Sequence, residues 1–123
     1  MRDTATEARL RALLSGHRRS IGQPDFASNG SLTAYAADWS RQMAEGRGLA
    51  HSSSSHAAVQ GACAGCGSGE NVGYGQSADQ VWNLFLQSSG HRANIEKGGT
   101  GIVGIGAYRK GSTVWITMVF GYS

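Results

Sequence analysis

The chain has 123 residues, a length typical of one domain with a single core, and we expect one domain over residues 1–123. Its composition, 40% hydrophobic and 15% charged, excludes an intrinsically disordered chain. The formal net charge is +3, and no apolar run is long enough to span a bilayer, so we expect a protein that does not cross a membrane.

The positive charge is concentrated in the first nineteen residues, where no aromatic residue is interleaved with it. This pattern favours a solvated helix face over a nucleic-acid interface, and no nucleic-acid partner is expected. The first residues also lack the apolar segment of a signal peptide, which leaves a cytosolic protein and an exported protein without its leader both open. The arginines concerned are Arg2, Arg9, Arg11, Arg18 and Arg19.

The first half of the chain predicts two helices and a long loop. Leucines at helical spacing predict an amphipathic helix over about residues 5–20, which ends at the Gly-Gln-Pro of residues 22–24. A second helix is predicted from Ser31, as its N-cap, to the glycines at 46 and 48. Residues 51–69, rich in serine, alanine and glycine, are predicted to form a long loop.

The second half predicts two helices followed by a hairpin. Ser77 and Gln80 match a capping box and predict a third helix, and residues 89–95 predict a short fourth one. The period then changes to alternation, which predicts strands over residues 102–108 and 113–120. Helices first and a hairpin last indicate an α+β fold. The predicted core is Leu10, Leu13, Leu14, Leu32, Tyr35, Trp39, Val81, Leu84, Phe85, Ile105, Trp115 and Val119.

Two short motifs have limited meaning. Residues 99–104 match G-x-G-x-x-G, but they lead into a strand and not a helix, so a dinucleotide site is rejected. Cys63 and Cys66 form one C-x-x-C, whose spacing from His51 and His56 matches no common zinc knuckle. A local disulfide is favoured over a metal site if the protein is exported, and free thiols are expected if it is cytosolic.

Three isolated ionisable residues form the candidate site. His51 follows the second helix, Glu70 precedes a predicted strand, and His91 begins a helical turn. Two imidazoles and one carboxylate are enough to bind Zn²⁺ with an open fourth position, although each residue could equally be an ordinary surface group.

Six segments, in this order and covering almost the whole chain, resemble the CAP superfamily of cysteine-rich secretory proteins, antigen five and pathogenesis-related proteins. The resemblance is nearest to its compact bacterial members, and GEN followed by GHRANI is its most specific part. The segments are LAHSS at 49–53, GENVGYG at 69–75, VW at 81–82, SSGHRANI at 88–95, GIVGIGAY at 101–108 and WITMVFG at 115–121.

The resemblance implies an α-β-α sandwich with a small antiparallel sheet between helices. It also implies that His51, Glu70 and His91 line one cleft, which would hold a divalent metal such as zinc, and that Asn71 has a structural role. Many members have a second glutamate where this chain has Phe85, so hydrolase mechanisms are less favoured here.

Three functions follow from the resemblance. The preferred one is an exported binding module, extracellular or in the cell envelope and expected to be monomeric, with a metal in the cleft and a groove for an unidentified ligand such as a lipid or an envelope component. The second is a structural or interaction domain of an envelope or virion with a vestigial cleft. The third is a zinc-dependent hydrolase, in which Asp79 is the nearest additional acid.

Overall fold

The computed structural model describes all residues from Met1 to Ser123. It contains helices α1 (Thr4–Ser20), α2 (Gly30–Gln42), α3 (Ser55–Ala62), α4 (Ala78–Gln87) and α5 (Ser89–Glu96). The strands are β1 (Ala27–Ser28), β2 (Gly67–Gly75), β3 (Gly101–Lys110) and β4 (Thr113–Tyr122). A π-helical turn, Met43–Arg47, continues α2. None of these helices combines the length and the apolar character needed to cross a membrane.

The four strands form one sheet in the order β1-β3-β4-β2. The two long strands β3 and β4 are the predicted hairpin, and β2 pairs antiparallel with β4 along its whole length. The short strand β1, which no sequence pattern predicted, pairs parallel with β3. All residues of Gly67–Gly75 belong to β2, so Glu70 lies within this strand. The sequence pattern had predicted that Glu70 precedes the strand, and this prediction was wrong.

Helices cover both faces of this sheet, so the predicted α+β, α-β-α sandwich is confirmed. On one face, α1, α4 and α5 bury the larger part of the core around Ile116, Met118 and Phe120 of β4. On the other face, α2 and α3 pack with Leu32 and Val59 against Val119. Successive β4 side chains therefore serve opposite cores, as the period of a strand requires.

Local signals account for most helix boundaries. The side chain of Ser77 caps α4, as predicted, and that of Asp3, for which no cap was predicted, caps α1. The predicted cap of α2 was wrong by two residues: Asn29, and not Ser31, accepts the backbone N–H of Leu32 at 3.0 Å. Asparagine and serine are comparable N-caps, so composition alone could not choose between them.

The prediction of a long loop over residues 51–69 was wrong, because Ser55–Ala62 forms helix α3. Only one of its side chains, Val59, is fully buried, so the segment shows no apolar periodicity. An isolated helix this short is not stable in water. Its stability therefore comes from the packing of Val59 and from the Cys63–Cys66 disulfide at its end.

Most of the predicted core is buried, with one clear error. Leu84 is 50% exposed, because the buried stripe of α4 consists of residues 78, 81, 82 and 85 and leaves Leu84 to one side. Leu13, Tyr35 and Trp115 are only partly buried. The remaining eight predicted core residues are buried.

Candidate functional site

One polar cavity of about 350 Å³ contains all three of the ionisable residues singled out in the sequence. Glu70 comes from the middle of β2, His51 from the segment between the π-helical turn and α3, and His91 from the first turn of α5. Ser88, Gly90 and Asn94 complete the lining. The sheet, the loop after α2 and helix α5 therefore meet at this cavity.

The carboxylate of Glu70 is nearly buried and fully engaged by hydrogen bonds. Its Oε1 accepts from His51 Nδ1 at 2.8 Å and from the backbone N–H of Ser52 at 3.0 Å. Its Oε2 accepts from the Ser52 hydroxyl, which in turn accepts from the Tyr35 hydroxyl at 2.6 Å. Ser52 and Tyr35 thus belong to the site, and the sequence analysis identified neither in this role. A serine run in a loop resembles solvated chain, and Tyr35 was predicted to be a core residue.

This arrangement fixes the orientation of the His51 ring. Because a carboxylate only accepts hydrogen bonds, Nδ1 of His51 carries the proton, and Nε2 keeps a free lone pair in the neutral ring. The His51 side chain is 64% exposed, so Nε2 is accessible from the cavity. Ser52 donates to Glu70 and not to an imidazole nitrogen, so no histidine activates it as a nucleophile.

His91 supplies the second imidazole of the cavity. Its ring packs against that of Phe85, with the centroids 5.1 Å apart. Burial, and to a smaller degree the nearby His51, lower the pKa of His91 below the ordinary histidine value. The ring therefore stays neutral at neutral pH, the form in which an imidazole binds a metal.

A pair of amide side chains, one of them buried, joins β2 to α5 at the cavity. Asn71 is fully buried, and its Nδ2 donates to the backbone carbonyl of His91 at 3.0 Å. Its Oδ1 accepts from Asn94 Nδ2 at 2.9 Å, and the Tyr122 hydroxyl donates to the carbonyl of Asn94. Asn71 thus holds the turn that presents His91, and Asn94 is a second supporting residue that sequence reasoning did not identify.

The potential metal donors of the cavity differ in how free they are to bind an ion. No group of three or more His, Cys, Asp or Glu side chains is arranged to hold a metal ion. Both oxygens of Glu70 are already occupied, whereas Nε2 of His51 is free and His91 is neutral. The two imidazoles are the other potential metal donors that line the cavity, and Glu70 would act on a bound ion through Nδ1 of His51.

An apolar groove of about 360 Å³ adjoins the polar cavity and shares Ser88 and His91 with it. Its other lining residues are Leu49, Val72, Gly73, Tyr74, Val81, Leu84 and Phe85. Three of these, Leu49, Tyr74 and Leu84, are exposed large hydrophobic residues. The two cavities meet at Ser88 and His91, so a polar space and an apolar space lie side by side.

The other residues considered in the sequence lie outside the polar cavity. Cys63 and Cys66 form the predicted disulfide. His56 bonds through Nδ1 to the Ser68 hydroxyl, and Asp79 pairs with Arg9 on the surface. Phe85 is buried in the main core.

The family of the chain is defined by its sequence as well as by this architecture. Residues 11–120 match the model of the CAP family, described as the cysteine-rich secretory protein family, and the chain belongs to it. The resemblance found in the GEN and GHRANI segments is thereby confirmed. No curated relative matches the chain by sequence.

Solved structures share the fold at low sequence identity. An outer surface protein from Borrelia burgdorferi has a TM-score of 0.85 and 15% identity, with 99% of this chain and 97% of that chain covered. An extracellular protein containing an SCP domain from Bacillus anthracis has a TM-score of 0.80 and 21% identity, with 98% and 41% covered. A cysteine-rich secretory protein from Staphylococcus aureus has a TM-score of 0.78 and 14% identity, with 98% and 40% covered. The chain thus spans about two fifths of the last two proteins.

Proposed function

We propose that this protein is an exported CAP-family binding module, which holds a divalent cation between His51 and His91 and a ligand in the adjoining groove. The observation that carries the proposal is the orientation of His51 by Glu70. A carboxylate that accepts from Nδ1 fixes the tautomer and directs Nε2 toward the cavity, an arrangement that is usual behind metal-binding histidines.

Zinc is the preferred ion because neutral imidazoles suit it and its four-coordinate geometry leaves positions for water or ligand. His51 and His91 would hold it through their ring nitrogens. Glu70 would keep His51 in the productive tautomer, and Asn71 would hold the backbone of His91. A site of two imidazoles is expected to bind more weakly than a structural zinc site with four protein ligands.

Export is supported by two independent observations. The disulfide of Cys63 and Cys66 is typical of oxidising compartments. The names of the similar structures describe an outer surface protein and an extracellular protein. An extracellular or envelope location is therefore part of the proposal.

A metal-dependent hydrolase has less support. The polar cavity contains a single carboxylate, and that carboxylate is occupied by His51 and Ser52. Asp79, the other acid considered, is held by Arg9 at 2.9 Å on the surface. No carboxylate in the cavity is therefore free to act as a general base, and in the proposed site the two imidazoles are taken up by the metal.

Zinc titration of alanine variants by calorimetry tests the proposal. His51→Ala and His91→Ala should abolish most of the affinity, because each removes a direct ligand. Glu70→Ala should weaken binding by about 10–100-fold, the usual effect of losing the partner of a metal-binding histidine.

His56→Ala is the matched control, since His56 is also exposed and its ring also bonds through Nδ1, but to a serine outside the cavity. It should bind zinc as the unchanged protein does. Equal losses in His56→Ala and His91→Ala would contradict the proposal. Failure of the unchanged protein to bind zinc would leave the interaction domain with a vestigial cleft as the better description.

A further inference from the structure

Strand β2 forms one edge of the sheet, and part of that edge is uncovered. The opposite edge, on β3, is occupied by β1 and by the N-terminal segment, where Asp3 and Met1 bond to Ala107 and Arg109. No strand lies beyond β2. An open edge presents backbone donors and acceptors to a further strand.

The alternation of an antiparallel sheet determines which residues of β2 face outward. Ala107 of β3 bonds away from the sheet, to Asp3 and Glu7, so its neighbours bond to β4. The residues of β4 alternate in the same way, bonding in turn to β3 and to β2, and their register with β2 fixes the alternation there. The backbone N–H and C=O groups of Glu70, Val72 and Tyr74 therefore point to the free edge.

Helix α5 covers only the first of these three residues. Asn94 Nδ2 lies 3.4 Å from the carbonyl oxygen of Glu70. The backbone of Val72 and of Tyr74 makes no bond to a loop, a turn or a side chain. Two consecutive outward-facing pairs of backbone groups therefore have no hydrogen-bond partner; Val72 is 6% exposed and Tyr74 is 50% exposed.

Apolar side chains flank this stretch of edge on both faces of the sheet. Gly73 faces α4, where an added Cβ would lie 2.9 Å from the Phe85 ring, and Leu84 extends the same wall. Tyr74 faces the other way and packs on Trp115, with ring centroids 4.8 Å apart. The apolar groove thus lies across the edge of the sheet.

The groove itself has no charged side chain that would hold an anionic headgroup or a charged peptide. No Lys, Arg, Asp or Glu lines the groove. The adjoining polar cavity contains no Lys or Arg, and its one charged side chain is the Glu70 carboxylate. Along the groove itself, which lies outside the polar cavity where the proposed cation would be held, a neutral ligand that supplies both donors and acceptors fits better than a charged one.

We propose that the groove binds an extended, uncharged peptide segment that adds to β2 as a fifth strand at Val72 and Tyr74. Its backbone would bond to the two free pairs of groups, and its alternating side chains would lie against Leu84 and Phe85 on one face and Leu49 and Tyr74 on the other. The inference names the ligand class of the groove, and it rests on the proposed function as a binding module.

The test uses a panel of blocked heptapeptides in which threonine alternates with valine or an aromatic residue. Binding is followed by NMR amide exchange of the isotope-labelled protein. A bound peptide should slow exchange of the amide protons of Val72 and Tyr74 in particular. The same peptide with alternate backbone nitrogens methylated should not bind, because it lacks donors for the edge.

Two variants at one position separate strand pairing from apolar contact. Tyr74→Pro removes an outward-facing N–H without removing a bond to β4, whereas Tyr74→Thr loses the same ring and keeps the N–H. Peptide affinity should be about tenfold weaker in Tyr74→Pro than in Tyr74→Thr, because one peptide carbonyl is left without a partner. Circular dichroism and melting curves of both variants establish that they fold.

Three results would overturn the inference. The first is that peptide at about 1 mM does not slow amide exchange at Val72 and Tyr74, and the second is that the two Tyr74 variants bind the peptide with equal affinity. The third is that the NMR spectrum changes with cholesterol delivered from cyclodextrin and does not change with any of the peptides. Zinc titration of the unchanged protein is run in parallel. Zinc binding without peptide binding would refute only the ligand class, and loss of both would refute the proposed function as well.

Discussion

At the scale of single residues, the geometry of the cavity depends on which atoms of its residues form hydrogen bonds. The two carboxylate oxygens of Glu70 accept hydrogen bonds from His51 and from both the N–H and the hydroxyl of Ser52. One acid thus holds two consecutive residues of the segment that follows the π-helical turn. His91 is set differently, by burial against Phe85 and by the amide of Asn71 on its carbonyl. One histidine is thus held through its ring and the other through its backbone.

The surroundings of His91 predict how its ring titrates in the metal-free protein. Burial and the nearby His51 lower the pKa of His91, so its ring should become protonated below the value of about 6.5 typical of an unperturbed histidine. NMR of the ring protons of His91 against pH measures this directly. Zinc affinity should accordingly persist through neutral pH and fall as the pH drops below that value, because proton and metal compete for the nitrogen.

The burial contribution can be separated from that of the neighbouring imidazole. In His51→Gln the pKa of His91 should rise only partly, since burial is the larger cause and remains. A His91 ring that titrates at or above about 6.5 in the unchanged protein would show that it is solvated and not part of a closed site.

At the scale of elements, the cavity depends on how closely α2 lies on the sheet. A Cβ at Gly104 would lie 2.1 Å from the backbone carbon of Leu32, and one at Gly106 would lie 2.0 Å from the backbone nitrogen of Ala37. Helix and strand backbones are therefore in direct contact. Near the end of α2, Ser40 bonds to Thr117 of β4, so the helix lies close to the sheet just before the segment that leads to His51.

Gly106→Ala tests this contact. The added methyl group meets backbone, which cannot rotate away, so α2 must shift, and unfolding by urea should show a loss of about 1–3 kcal/mol or more. Gly61→Ala in α3 is the matched control: its Cβ meets nothing within 4 Å, and alanine should stabilise the helix by about 0.5–1 kcal/mol. Equal urea midpoints for the two variants would mean that the helix and the sheet are not in close contact.

At the scale of the whole molecule, one buried arginine joins segments that are far apart in the chain. Arg18 of α1 is fully buried beside the Phe26 ring, and its guanidinium donates to four backbone carbonyls. These belong to Pro24 before β1, to Ile95 and Lys97 at the end of α5, and to Gly99 before β3. The helix that carries His91 is thereby tied to α1 and to the main hairpin.

Arg18→Lys should destabilise the protein although it keeps the charge. A single ammonium group cannot reach four carbonyls that surround a planar guanidinium, and each buried carbonyl left unpaired costs about 1–3 kcal/mol. We expect a loss of about 3–5 kcal/mol by thermal or urea unfolding. Arg19→Lys, at the exposed neighbouring position, should change stability by less than about 0.5 kcal/mol, and a similar loss there would refute the role of Arg18.

Local patterns in the sequence were sufficient for most elements and for the candidate residues. The leucine spacing of α1, the cap at Ser77 and the alternation of the hairpin each involve residues within a few positions of one another, so they can be read without knowing the fold. The GEN and GHRANI segments identified the family, and with it the three ionisable residues of the cavity.

What only the tertiary structure decided depends on contacts between distant residues. Helix α3 exists because Val59 is buried by α2 and β4, and Leu84 is exposed because the sheet meets another side of α4. The engagement of Glu70 by Ser52 and the open edge of β2 likewise arise from pairings across the fold. Periodicity describes one segment at a time, whereas burial and hydrogen-bond partners depend on which segments come together, and that is determined by packing over the whole chain.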